Sequence, residues 1–219
     1  MPLPALLAIA EPMTTFTDFA LAALGFYWGG KLLAGRGRRV RAVRAWGLAF
    51  LALALGALLG GVTHGFGPGL GETARTGLWK ATVFSIGAVS YWALTGMART
   101  LLAGAAWKLV RAAALVKLLA YWAWMAGHDE FRYVILDYAP SLLLAAVAGL
   151  WLWRRRGRPA GAWIAAGVLV SFAGAGVQLS GFALHPQLNH NDLYHVIQMA
   201  GLYLLYRGAE GLEDDTIEG

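Results

Sequence analysis

The stretch AWGLAFLALALGALLGGVTHG, residues 45–65, decides the fold because it carries no charged side chain and only one titratable residue, His64. A helix rises 1.5 Å per residue, so about 20 apolar residues cross a hydrocarbon core of about 30 Å. The rest of the chain contains six similar segments. The predicted spans are residues 14–34, 45–65, 77–98, 107–127, 132–153, 161–184 and 192–208. The sequence therefore predicts an all-α polytopic membrane protein, with residues 1–219 forming one seven-helix transmembrane domain.

The composition supports a lipid environment. Hydrophobic residues make up 58% of the 219 residues and charged residues only 14%. A water-soluble globule of this composition would have to expose much of its apolar surface. The chain has no Cys, which excludes disulfides and thiolate metal sites. Any metal would have to be held by His, carboxylate, amide or water.

The distribution of basic residues predicts the orientation. Most of the 18 Lys and Arg residues flank the predicted spans at what would be the same membrane face. These residues are Lys31, Arg36, Arg38, Arg39, Arg41, Arg44, Arg99, Lys108, Arg111, Arg154, Arg155, Arg156, Arg158 and Arg207. By the positive-inside rule this face is cytoplasmic, which places the N-terminus outside and the C-terminus inside. We expect residues 209–219 to form a frayed acidic cytoplasmic tail.

The net charge of +6 is best explained by this orientation and by contact with lipid headgroups. No aromatic and basic motif typical of RNA or DNA binding accompanies the charge, so nucleic acid is not an expected partner. Membrane lipids are the expected partners, and the oligomeric state is not predicted.

The polar side chains within the spans are concentrated near the outer end. The helical rise places His64 at the outer rim, His195 one to two turns deeper, and Asp18 and Lys80 also in the outer half. A membrane ammonium needs a carboxylate partner, and Asp18, Glu72 and Asp137 are candidates for Lys80, with Asp18 favoured by depth. Lys117 is the main polar group of the inner half, where its side chain can extend to the interface.

Three histidines are predicted to converge at this outer end: His64, His190 and His195. If the seventh helix begins near Asn191, then Asn191 and His195 lie on one face, with Gln198 one turn further in. His190 can share a ligand with His195 only from the loop or cap, because five residues rotate it away on a regular helix. Asp192 is either a ligand or a first-turn acid that stabilises the helix start.

A His at the outer end of the second span (GGVTHGFG) and a His-containing motif that opens the seventh (HNDLYHVIQ) resemble the CREST superfamily, which includes alkaline ceramidases and adiponectin receptors. The resemblance implies a zinc ion held by His64 and His195, with His190 or Asp192 as third ligand and water at the fourth position. The segments EPMTTFTD, LWKATVFSIGAVSYW and HNDLYHVIQ are similar to those of a bacterial branch, which implies the bacterial cytoplasmic membrane.

Two functions follow from these patterns. The first is a zinc-dependent, ceramidase-like hydrolase that acts on a lipid-like amide or ester in an outward-facing pocket. Asp18 would be its proton relay or metal-supporting acceptor, and Lys80 would stabilise an oxyanion or bind a lipid phosphate. The alternative is a non-enzymatic receptor or lipid-binding protein with a metal-free, hydrogen-bonded His cluster.

Overall fold

A computed structural model describes residues 9–185 and 188–215, and these residues form seven α-helices. They are α1 (Pro12–Ala34), α2 (Arg41–Phe66), α3 (Glu72–Leu101), α4 (Gly104–Ala126), α5 (Phe131–Arg156), α6 (Pro159–Ser180) and α7 (His190–Glu210). Each helix overlaps one predicted span, which confirms the all-α fold. Five of them, α2 to α6, are long and apolar enough to cross a membrane by length and composition.

Six of the helices form a closed ring. Going around it, α1 packs on α2, α2 on α3, α3 on α5, α5 on α6, α6 on α7, and α7 returns to α1. Helix α4 lies outside this ring and packs mainly on α3. Short connectors make sequential helices antiparallel, so the ends of the bundle alternate in chain order. A large apolar core, which includes Trp46, Phe50, Met97 and Leu202, lies towards one end of the ring.

Glycines allow two of the helix pairs to approach closely. A Cβ atom at Gly61 of α2 would lie 2.7 Å from the Phe19 ring of α1. A Cβ at Gly167 of α6 would lie 2.8 Å from the backbone nitrogen of Leu205 of α7. At these positions α2 packs closely on the Phe19 side chain of α1, and α6 packs on the backbone of α7.

Helix α6 ends earlier than the sequence predicted. The span was expected to reach residue 184, but the helix stops at Ser180. Gly181 follows with φ of +68°, a left-handed conformation that terminates helices and suits glycine. The correction shortens α6 by about one turn and leaves a longer connector to α7.

The acidic C-terminal segment is ordered, so the prediction of a frayed tail is wrong for residues 211–215. Leu212 is buried in the core. The Asp214 carboxylate accepts hydrogen bonds from the backbone N–H groups of Arg41 (3.1 Å) and Ala42 (2.8 Å). It therefore caps the first turn of α2 from a distant part of the chain. Residues 216–219 lie outside the described residues.

The same segment pairs with basic residues from several helices. Glu213 lies 3.8 Å from Arg36 and 3.5 Å from Arg158, Asp214 lies 3.4 Å from Arg99, and Asp215 lies 3.0 Å from Arg156. These contacts bring the arginine-rich ends of the helices to one end of the bundle, here called the arginine end. The acidic side chains that suggested a frayed tail are instead complementary in charge to the arginines at this end.

Candidate functional site: a polar-ended cavity inside the helix ring

An elongated cavity of about 370 Å³ lies inside the ring of six helices. Its lining is largely apolar, and its polar side chains are concentrated towards the end opposite the arginine end. They include Asp18, His64, Gln178, Asn191, His195 and Gln198. Trp46 and Leu205 line the other end. His64 and Trp46 are on the same helix, and the helical rise separates them by roughly 27 Å. The cavity thus has a polar end and a long apolar stretch that extends from there to Trp46 and Leu205, here called the apolar floor.

The centre of the polar end is a contact between α1 and α7. The Nε2 atom of the buried His195 lies 3.3 Å from Oδ1 of the buried Asp18. Its Nδ1 atom lies 2.9 Å from the hydroxyl oxygen of Thr17. That hydroxyl is also 3.0 Å from the carbonyl oxygens of Met13 and Thr14, which can only accept. This pattern favours a proton on Nδ1 of His195, so the contact between Nε2 and Asp18 requires a second proton that the imidazole and the carboxyl group share.

Burial explains why these two groups are together. An imidazole and a carboxyl group among apolar helices are costly unless each has a polar partner. The Asp18 carboxylate lies beside Gly60 of α2, where an added Cβ would be at an ordinary contact distance of 3.6 Å. The pair can exchange a proton and can also present hydrogen-bonding groups to a molecule in the cavity.

The other predicted ligands have different surroundings. His64 also lines the cavity, but its side chain is about one third exposed and its Nδ1 lies 3.2 Å from Glu11. His190 is the first residue of α7, so it is at the helix start and not in the loop. Asn191 is on the cavity wall as predicted, and its side-chain oxygen accepts a hydrogen bond from Gln178 at 3.0 Å.

Asp192 stabilises the start of α7, which is one of the two roles that the sequence left open. Its carboxylate accepts a hydrogen bond from the Asn189 backbone N–H at 2.7 Å, while the Asn189 side chain accepts from the N–H groups of Asn191 and Asp192. This reciprocal arrangement is a capping box at the start of α7. The residue is fully buried, and its second oxygen has no hydrogen-bond partner among the described residues.

The donor set does not assemble the predicted zinc centre. Within residues 9–185 and 188–215, no three His, Asp or Glu side chains are grouped so that they could hold one metal ion. A zinc site normally needs three protein ligands and one open position, so the described side chains do not fit that pattern. Zinc at His64, His190, His195 and Asp192 therefore stays a prediction.

The titratable groups at the polar end of the cavity include carboxyl and imidazole groups. The Asp18 carboxyl interacts electrostatically with Asp192 and Glu11, and His195 interacts with His64 and Asp192. No Lys or Arg is among the described residues that line the cavity. The polar end therefore combines carboxyl and imidazole groups without a fixed positive charge.

Lys80 lies outside the cavity, and its expected pairing with Asp18 is wrong. Its ammonium contacts Asp129 Oδ1 at 2.8 Å and donates hydrogen bonds to the carbonyl oxygens of Met125 (2.6 Å) and His128 (2.8 Å). These three acceptors match the three N–H groups of an ammonium. Lys80 thus caps the C-terminal end of α4, and its ammonium has no N–H group left to bind a substrate.

Lys80→Met is expected to lower the free energy of unfolding by about 1–3 kcal/mol, because two carbonyl groups and a carboxylate lose their donor. The matched control is Arg75→Met, an exposed residue on the same helix, which should change stability by less than about 0.5 kcal/mol. Unfolding of both variants in detergent micelles measures the difference. Equal stabilities would show that Lys80 does not hold α4.

Lys117 does not extend to the interface, contrary to the prediction. Its ammonium pairs with Asp137 of α5 and also contacts the Ser90 hydroxyl of α3 at 3.2 Å. Ser90 donates to the other oxygen of Asp137 at 2.6 Å. The three residues join α3, α4 and α5, and only Ser90 of the three lines the cavity.

Sequence reasoning missed several of these partners. Thr17 and Glu11 carried a signal that could have been used, because they lie within about two turns of Asp18 on α1 and so can share its end of the helix. Asp129 gave none, since it belongs to a short connector whose direction the sequence does not specify.

The fold and the cavity define a helical-bundle protein with apolar helices of membrane-spanning length and an internal amphiphilic cavity. The chain belongs to DUF6962, a family of unknown function, which it matches over residues 13–214. No curated protein and no solved structure has a significant match to the chain. These comparisons do not link it to the CREST superfamily, so that resemblance stays a prediction.

Proposed function

We propose that this protein is a seven-span membrane protein that binds a single-chain, lipid-like amphiphile in the cavity of the helix ring. The observation that carries the proposal is the cavity itself, which combines a polar end at Asp18 and His195 with an apolar floor that extends to Trp46 and Leu205. Ligand pockets are typically mostly apolar with a few converging polar groups.

The size of the cavity favours one chain. Small-molecule pockets span about 300–1,000 Å³, and this cavity of about 370 Å³ is near the lower limit. Its length of roughly 27 Å along α2 is close to the thickness of a hydrocarbon core. A long and narrow space of this kind suits one extended alkyl chain better than the two chains of a phospholipid.

The charges at the polar end favour a neutral or cationic head. Carboxyl, imidazole and amide groups line this end, and no Lys or Arg is among the described lining residues. An anionic head would meet Asp18 without a compensating positive charge, which is costly in a low-dielectric site. An amine, hydroxyl or amide head can instead bond to Asp18, His195 and Gln198.

The orientation follows from the arginine end. Ion pairs with the C-terminal segment bring Arg36, Arg99, Arg156 and Arg158 to one end of the bundle, and the positive-inside rule makes that end cytoplasmic. The cavity's polar end would then face outward, in a bacterial cytoplasmic membrane.

A reporter fused after Gly219 should be cytoplasmic and one inserted near Gly69 should be external; the same location for both would contradict seven spans.

Hydrolysis is the second candidate function, and the Asp18–His195 contact favours it. A buried imidazole held at Nδ1 by Thr17 and beside a carboxyl is a suitable general base. It would take a proton from water as the water oxygen bonds to the carbonyl carbon of a lipid amide. The C–N bond would then break, and the proton would pass to the leaving amine.

Zinc remains part of this second candidate through the resemblance to the CREST superfamily. Metal analysis of the purified protein tests it directly. One zinc per chain that is lost in His195→Gln would support the zinc-dependent hydrolase. A chain that hydrolyses an N-acyl amide in the presence of a chelator would support a metal-free reaction.

Filling the cavity should weaken ligand binding. Ala57 lines the cavity, and Ala57→Phe would occupy part of its volume without adding charge. We expect at least a tenfold loss of affinity for N-palmitoylethanolamine, measured by isothermal titration in detergent. The matched control is Ala113→Phe on the exposed face of α4, which should bind like the wild type. Equal affinities for both variants would place the ligand elsewhere, and tighter binding of palmitate than of the amide would contradict the proposed head.

A further inference from the structure

A second cavity, of about 350 Å³, lies at the arginine end between the start of α6 and the end of α7. Its charged and aromatic lining residues are Arg158, Trp163, Arg207 and Glu213. We call it the arginine groove. It is separate from the cavity inside the ring and shares none of its lining residues.

The two guanidinium groups of the groove have unused donors. Nη1 of Arg158 is shielded from solvent and has no hydrogen-bond partner among the described residues, while Nη2 is 3.5 Å from Glu213. Nη1 of Arg207 donates to the Tyr203 hydroxyl at 3.3 Å, and the guanidinium lies 5.6 Å from the centre of the Trp163 ring. Each guanidinium carries five N–H groups, and the contacts above use only part of this donor capacity.

Two helix ends face the groove, the positive start of α6 and the negative end of α7, whose C-cap Gly211 is in the groove wall. Helix α6 begins at Pro159, within the groove wall, so the positive end of its dipole is directed at the same space. Because the two dipoles oppose each other, the two guanidinium groups are the main source of positive potential in the groove.

The surroundings of the groove indicate a lipid as the source of the anion. Trp163 is 39% exposed and Tyr203 is 43% exposed, on the outer faces of α6 and α7. Aromatic side chains of this kind are enriched at the level of lipid headgroups. Further along the same two helices, exposed apolar side chains such as Leu169 and Val196 continue the surface. An alkyl chain can therefore run along α6 and α7 while its phosphate lies in the groove.

We propose that the arginine groove binds the phosphate of an anionic phospholipid from the leaflet at the arginine end. The proposal depends on the membrane placement but not on the ligand of the inner cavity. Basic pockets between membrane helices on the cytoplasmic side are suited to such headgroups. Glu213 competes for Arg158 through a long contact, and its side chain is about half exposed, so a phosphate can displace it.

Native mass spectrometry of the detergent-solubilised chain tests the groove, with dioleoyl phosphatidylglycerol and dioleoyl phosphatidylcholine as probes. We expect one phosphatidylglycerol to bind more tightly than phosphatidylcholine. Arg158→Gln with Arg207→Gln should weaken this binding roughly 25-fold, since each Arg contributes on the order of fivefold. The control, Arg38→Gln with Arg39→Gln, removes the same charge from exposed residues outside the groove and should have less than about a threefold effect.

Glu213→Gln gives a result in the opposite direction. Removing the competing carboxylate should tighten phosphatidylglycerol binding about threefold to fivefold, even if the double Arg variant fails to fold. Unchanged or weaker binding in Glu213→Gln, or equal losses in the double Arg variant and its control, would overturn the proposal. Complete displacement of the lipid by millimolar inorganic phosphate would identify a free phosphate site and would also overturn it.

Discussion

Lys117→Met is expected to be the most destabilising single substitution in the helix bundle, with a loss of about 3 kcal/mol in the free energy of unfolding. Asp137 is almost completely buried and loses its counter-ion, and the remaining partner, Ser90, cannot neutralise a carboxylate. Removing one member of a fully buried ion pair costs about 3–5 kcal/mol because an uncompensated charge is left behind; Lys117 is about one third exposed, which places the expected loss at the lower limit. Unfolding in detergent micelles, monitored by circular dichroism, measures the loss.

The double variant Lys117→Met with Asp137→Leu distinguishes the loss of the ion pair from nonspecific destabilisation by the substitution. Because both charges are absent, it should recover most of the stability lost in the single variant. Helix α4 lies outside the ring, so its loss of attachment should leave the inner cavity and ligand binding largely intact in the double variant. A double variant no more stable than the single one would show that the ion pair is not what holds α4 to α5.

Asp18→Asn is expected to have the largest effect on ligand binding. It keeps the shape of the side chain and a hydrogen-bond partner for His195 but removes the carboxylate from the polar end of the cavity. Affinity for a long-chain amine should fall about tenfold to a hundredfold, since hydrogen bonds to charged groups contribute about 1.5–3 kcal/mol. Affinity for the neutral N-palmitoylethanolamine should fall less.

The control for this substitution is Asp129→Asn, which removes a carboxylate outside the cavity. It should lower stability slightly through Lys80 and leave both affinities unchanged. His195→Gln completes the set, because it should abolish any hydrolysis while reducing binding only moderately. Wild-type binding of the amine by Asp18→Asn would show that the head does not contact Asp18.

The helices were predictable because each apolar run carries its own length signal. The run at residues 45–65 specifies a helix without reference to the rest of the chain, and each of the seven predicted segments overlaps a helix. The helical rise also gave the depth of Asp18 and His195 correctly enough to place both near one end of the bundle. Their contact at 3.3 Å is between α1 and α7, the two ends of the chain.

The errors arose because depth does not specify which helices are neighbours. Lys80 and Asp18 were placed at similar depths, but α2 separates α1 from α3 in the ring, so the two side chains do not meet. Lys80 instead contacts the end of α4, its actual neighbour. Lys117 was assigned to the inner half of the membrane, with its side chain extending to the interface. Its partner Asp137 is on another helix, and the sequence alone did not indicate that the two residues lie at the same depth.

The C-terminal segment shows a related limit. Residues 213–215 are acidic and would be disordered in isolation, yet they are complementary to arginines that lie up to about 180 residues earlier in the chain. Charge pattern within a segment predicts its solvation, but its partners become apparent only once the helix ends are assembled. The capping of α2 by Asp214 depends on the same assembly.

Photo-crosslinking with a long-chain amine that carries a diazirine at its terminal methyl group tests the central claim most directly. If the head lies at Asp18 and His195, the label should react with the apolar floor of the cavity, at Trp46, Phe50 or Leu205. Peptide mass spectrometry identifies the labelled residues, and Ala57→Phe should remove the labelling. Labelling confined to exposed apolar residues such as Leu109 and Val116, unaffected by Ala57→Phe, would contradict an amphiphile-binding cavity.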